Sequence, residues 1–178
     1  QAEESFEGKY TMEMSGKKDK ASMTIWTKDS HIRMAVASKD MPGEMIMRDG
    51  MSTMLMIMPA QRMYMEMQIP DMSGKMKDQA EKSGDEVPFE KTGNTKEIEG
   101  FEAHEFVYEE GKEKMVIWAT EELGSMPMAR GPARQGFADA MQKVTGLSAF
   151  FPLEMIGYKK GKEQYRMRIK DIEKKELS

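Results

Sequence analysis

The chain has no cysteine, which excludes a disulfide framework and any thiol site. Histidine is nearly as scarce: the two present are His31 and His104. No run of residues is long and apolar enough to span a bilayer as a helix. Neither sign of charge dominates. Lys and Arg number 27 against 31 Asp and Glu, giving a net charge of −4. The two signs are intermixed, so nothing argues for nucleic acid as a partner. Two stretches are uneven: residues 71–113 are mainly acidic and residues 157–178 mainly basic. The basic end reads as a solvated strand face, with anionic lipid or an acidic partner as the alternative.

Catalytic patterns are missing as well. His-x-x-His, Gly-x-Ser-x-Gly, Gly-x-Gly-x-x-Gly and phosphate-loop spacings are absent. Without cysteine, a nucleophile would be Ser or Thr served by His31 or His104. His104 sits in Glu102-Ala103-His104-Glu105, the context of a solvated or packed strand histidine. The adjacent pairs Glu109-Glu110 and Glu121-Glu122 diverge on a strand and form no acid/base dyad. Gly131-Pro132-Ala133-Arg134 reads as a helix start rather than an anion site. The expectation is a protein that is not an enzyme and uses no cofactor.

What the chain has in excess is methionine, 22 of 178 residues. Residues 43–69 concentrate them in alternating runs: Met45-x-Met47, Met54-x-Met56-x-Met58 and Met63-x-Met65-x-Met67. Period two is the spacing of one strand face. Asp49-Gly50 is a hairpin signal, because a type I′ turn needs positive φ at both central residues. It predicts Met45 opposite Met54 and Met47 opposite Ser52. The connection Pro59–Arg62 sets Met58 opposite Met63, Met56 opposite Met65 and Met54 opposite Met67. Met45, Met47, Met54, Met56, Met58, Met63, Met65 and Met67 then share one face. The reverse face carries Ile46, Leu55, Ile57, Tyr64 and Glu66. Neither face is purely polar, which predicts that both are partly covered.

The rest of the chain repeats the strand pattern. Residues 6–15, 21–27 and 31–37 alternate. A tight turn at Lys28-Asp29 would pair Ile25 with Ile32, Met23 with Met34 and Trp26 with His31. Residues 71–90 are polar and read as a long exposed connection, with a short helix near 74–82. Extended structure restarts at Lys91, and Glu99-Gly100 marks a turn. Residues 101–110 and 113–121 form a hairpin around Gly111-Lys112, pairing Phe106 with Ile117 and Tyr108 with Met115. Residues 132–144 are the helix candidate, with Pro132 at its start, Gly146 beyond its end and a stripe of Phe137, Ala140, Met141 and Val144. Two more strands, 150–159 and 163–172, turn at Gly161. The length suits one domain over residues 1–178. The fold class is α+β: a curled antiparallel sheet of about ten strands, a half-barrel, with one main helix near 132–145 covering the concave face.

Two stretches carry a family resemblance: Thr92–Phe106, TGNTKEIEGFEAHEF, and Val116–Gly124, VIWATEELG. With Met63-Tyr64-Met65-Glu66, they resemble the bacterial family known as domain of unknown function 4412. That resemblance implies an exported protein with no established activity, and so supplies no catalytic residues. The strand order, the late helix and the closing Phe151-Pro152-Leu153 segment are similar at fold level to the periplasmic lipoprotein carriers of the LolA/LppX type. Those are half-barrels whose concave face holds acyl chains under a helical lid. Methionine stands here where such a cavity has aromatic and aliphatic residues. The chain begins at Gln1, and a signal peptide or lipid-modified cysteine upstream is what an exported protein would carry. A periplasmic or otherwise exported location is the expectation.

Four uses of the methionines follow from thioether chemistry. They can be core, since Met fills irregular gaps. They can form a deformable apolar surface for a lipid tail, a lipoprotein anchor or an apolar peptide. In that use the 132–144 helix and the 71–90 connection would form a lid, and a peripheral membrane or lipoprotein partner would fit. They can bind Cu(I), which favours thioethers. They can be consumed by oxidants, which requires exposed sulfurs.

Overall fold

A computed structural model describes residues 6–28, 31–37, 43–47, 53–68, 89–124, 126 and 149–174. These form eleven strands. The first six are β1 (Gly8–Gly16), β2 (Lys20–Lys28), β3 (His31–Ala37), β4 (Gly43–Met47), β5 (Thr53–Met58) and β6 (Met63–Gln68). The last five are β7 (Phe89–Ile98), β8 (Phe101–Glu110), β9 (Glu113–Thr120), β10 (Phe151–Lys159) and β11 (Lys162–Lys174). All pair antiparallel in one sheet of order β6-β5-β4-β3-β2-β1-β11-β10-β9-β8-β7. Two meanders therefore meet at a seam between the first and last strands. The sheet is open, with β6 and β7 at its edges.

Local chemistry explains the hairpins. Glu99 and Gly100 both take positive φ, 53° and 82°, and join β7 to β8. Lys160 and Gly161 do the same between β10 and β11, at 52° and 73°. This is the backbone that a two-residue turn needs to follow strand twist. The predicted β8–β9 register holds, with Phe106 opposite Ile117 and Tyr108 opposite Met115. Irregular pairing interrupts β10 near Pro152 and again at Gly157/Tyr158. Proline is tolerated there because a bulge needs no ladder donor at that position.

The eleven strands among the described residues agree with the expectation of about ten. Several other expectations are corrected. Phe89 and Glu90 belong to β7 rather than to the preceding connection. β2 extends to Lys28, which pairs with His31, so Ile25 faces Met34 and Trp26 faces Arg33. Likewise β5 starts at Thr53, and Met45 faces Met56 while Met47 faces Met54. Both registers are displaced by two residues. An even displacement leaves every side chain on its predicted face. Among the described residues the one helical element is a short 3-10 turn, Pro59–Gln61. The helix expected over 132–145 and the connection expected over 71–88 lie outside the described residues, as does Asp49-Gly50. Among the described residues no helix is long and apolar enough to cross a membrane.

The core lies against the middle of the sheet. Phe6, Tyr10 and Phe151 form an aromatic triad, with ring centroids 5.2–5.6 Å apart. Ala103 and the larger Ile25, Ile32, Leu123, Leu153, Met167 and Ile169 complete its buried part. Each of the larger side chains contributes about 1.5–3 kcal/mol through burial. Thr27 Oγ1 donates to the Phe6 carbonyl at 3.0 Å, satisfying a buried hydroxyl. Burial also raises the pKa of the Tyr10 hydroxyl, since the phenolate would lose its water. A second cluster of Phe106, Ile117 and Ala119 lies on β8 and β9.

Candidate functional site

Three strands bring the eight predicted methionines together. Met54, Met56 and Met58 of β5 face Met67, Met65 and Met63 of β6. On the other side of β5, Met54 faces Met47 and Met56 faces Met45 of β4. The side chains thus form rows across the sheet, Met47–Met54–Met67 and Met45–Met56–Met65. Met34 of β3 extends the second row. Directly opposed Cβ atoms on a sheet lie about 4.5–5.5 Å apart. Successive residues of one row are therefore within reach of each other's long, flexible arms.

The same pairing, followed across the sheet, reaches further than sequence reasoning did. Met12, Met14, Met23, Met34, Met115, Met155 and Met167 lie on this face too. Every methionine of the eleven strands is on one side. Met12-x-Met14 is an alternating pair that sequence reasoning passed over, and the other five stand singly, so no run marked them.

Burial along this face is graded. Met167, in the central strands, is 8% exposed. Met12, Met23, Met34, Met47 and Met155 are partly buried against the core. All side chains of β4 and β5 are half-buried. All six of β6 are exposed, with Met63 at 53%, Met65 at 45% and Met67 at 36%. The expectation that both faces are partly covered holds on β4 and β5 and fails on β6. On β6 neither is, and Tyr64 on its reverse face is 76% exposed. The physical reason is position: β6 is an edge strand.

The reverse face is polar and closely paired. Arg33 donates to Glu44 Oε2 at 2.7 Å and lies 5.3 Å from the centre of the Trp26 ring. Sequence reasoning missed a second assembly there. Glu154 is 2% exposed. Lys96 Nζ donates to its Oε1 at 2.8 Å, Arg168 Nε donates to its Oε2 at 3.0 Å, and Arg166 is 3.5 Å away. Lys96 also sits 4.2 Å from the Trp118 ring centre. Burial works against the Glu154 charge, but the Lys96 and Arg168 hydrogen bonds outweigh it and hold the pKa below the usual value. Its partners lie 58 and 14 residues away in sequence, so no motif announces it. A groove of about 740 Å³ opens on this reverse face, floored by Val116, Trp118, Ile156 and Tyr158 and rimmed by Glu105, Glu109 and Lys114.

The residues examined for catalysis stay apart. His31 pairs with Lys28 at one strand end. His104 Nε2 is 3.5 Å from Glu102 Oε1. Among the described residues no group of three His, Asp or Glu side chains is placed to hold a metal ion. A thioether site has no such requirement.

An open antiparallel sheet with an apolar face and a salt-bridged reverse is the class that the fold defines. Among solved structures, the chain is similar to MucB in a crystal structure of MucB in complex with MucA(peri), at a TM-score of 0.51 and 10% identity. The match covers 90% of this chain and 47% of that one, so this chain spans about half of MucB's length. The Pseudomonas aeruginosa MucA/MucB complex matches at 0.49 and 12% identity, over 90% of this chain and 49% of that one. PNGF-II matches at 0.43 and 10% identity, over 96% of this chain and 28% of that one. The MucB likeness supports the fold-level similarity to LolA/LppX-type carriers. No curated protein matches the sequence. The family described as "Domain of unknown function (DUF4412)" matches residues 6–178, and the chain belongs to that family.

Proposed function

We propose that this protein is an exported, non-enzymatic binding module that takes an apolar ligand on the methionine surface of β4, β5 and β6. The ligand class is a lipid tail, a lipoprotein anchor or an apolar peptide segment. One observation carries the reading: the face is continuous with the core at Met47 and open at Met63, Met65 and Met67. A contiguous apolar surface exposed at one end marks an interaction site. Methionine suits it because an unbranched, polarizable arm adapts to several apolar shapes. The fold-level likeness to MucB adds support of a general kind, and MucB's partner in that structure is a polypeptide.

A second reading has its own observation. The rows Met47–Met54–Met67 and Met45–Met56–Met65 each set three thioethers side by side. Three soft donors on flexible arms suit Cu(I).

Native mass spectrometry after gentle purification tests both readings. A co-purified lipid or apolar peptide, lost when Met63, Met65 and Met67 are replaced by Gln, supports the first. A copper mass shift in protein purified and kept under reducing conditions supports the second. The bare chain mass, unchanged after incubation with lipid or Cu(I), sinks both and leaves the methionines as core.

A further inference from the structure

The two edges of the sheet are built differently. β7 is blunted as natural edges are: its pairing is irregular between Lys91 and Thr95, Gly93 takes φ 83° within that stretch, and Glu90, Lys91, Lys96 and Glu97 charge it. Bulges and charges of this kind keep an edge from pairing with another chain. β6 has none of these devices. It pairs with β5 in unbroken register, has no lysine or proline, and carries one charge, Glu66. Among the described residues its other backbone edge has no neighbour.

The sequence of β6 is also self-complementary. Met63-Tyr64-Met65-Glu66-Met67 reads symmetrically about Met65 once Tyr is matched with Glu. From this we infer that β6 pairs antiparallel with β6 of a second copy of this chain, about a two-fold axis through Met65. That axis sets Met65 against Met65 of the other copy, and Met63 against Met67. Tyr64 then lies against Glu66, twice. In an antiparallel pair, opposed residues share a face. The methionine face therefore runs unbroken from one copy to the next, and the tyrosine–glutamate pairs fall on the reverse face. There a tyrosine hydroxyl can donate to a carboxylate, as Tyr108 already does to Glu110 within the chain. Such an interface is isologous and closes at two copies. One strand edge buries little area, so the dimer is weak and concentration-dependent. The inference rests on the edge and not on the apolar-ligand reading.

Sedimentation velocity over a concentration series tests it. The wild type shifts from monomer toward dimer as concentration rises. Met65→Lys and Met65→Glu each set like charges against each other on the axis and abolish the shift. An equimolar mixture of the two variants sets lysine against glutamate and restores it. Met65 is exposed, so both variants keep the wild-type circular dichroism and melting temperature. A wild type that stays monomeric to its solubility limit overturns the inference. So does a Met65→Lys variant that still dimerises, or a mixture that does not recover.

Discussion

Met167 and Met63 occupy the same face of the same sheet, yet one is 8% and the other 53% exposed. Between them the residue type is constant and the surroundings change. At the centre, the first and last strands meet and Phe6, Tyr10 and Phe151 cover the face. At the β6 edge nothing comparable among the described residues covers it. The comparison separates two roles for one side chain. A buried thioether is core material. An exposed row of them, beginning where the core ends, is surface kept apolar at a cost in solubility.

Core truncation breaks the comparison most strongly. Met167→Ala should lower unfolding stability in urea by about 2–5 kcal/mol, as large-to-small changes in a core do. Met63→Ala should stay within about 0.5 kcal/mol of wild type. Equal losses at the two positions would mean that β6 is covered after all.

The next largest effect falls on the reverse face. Glu154→Gln removes the charge shared by Lys96, Arg166 and Arg168. The loss should be about 1–3 kcal/mol at neutral pH, moderated because all three cations reach solvent. Its pH dependence has a definite sign. The folded Glu154 pKa lies below the unfolded value. The stability it contributes is therefore present above the unfolded carboxylate pKa and lost as pH falls through the folded one. The gap between wild type and variant, followed by urea titration, should close on acidification. A pH-independent gap would show that Glu154 acts through packing alone.

The smallest perturbation is a single oxygen atom. Limited hydrogen peroxide treatment, read by peptide mass spectrometry, should oxidise Met63, Met65 and Met67 first and Met167 last. The half-buried Met54 and Met56 should fall between. An order unrelated to exposure would remove the basis of the comparison.

Much of this was legible in the sequence. The β5–β6 and β8–β9 registers followed from alternation and turn residues, and the shared face of the eight methionines survived a misplaced β4–β5 register. It survived because loop length shifted the register by an even number, which alternation does not notice. The seam between β1 and β11 carries no local signal, since its partners stand at opposite ends of the chain. The exposure of β6 was illegible for the same reason. An edge is a property of sheet order, and Met63-Tyr64-Met65-Glu66 reads alike on an edge or an inner strand. Glu154 was passed over because a carboxylate on a strand looks solvated until distant cations are placed beside it.

The central claim is that apolar ligands meet the methionine face at its open end. The direct measurement is a titration of protein carrying 13C-methyl methionine with a single-chain lipid kept below its micelle threshold. Methyl resonances of Met63, Met65 and Met67 should move first, with smaller shifts at Met54 and Met56 and none at Met167. Shifts absent from all of these, while Trp118 in the reverse-face groove responds, would contradict the account.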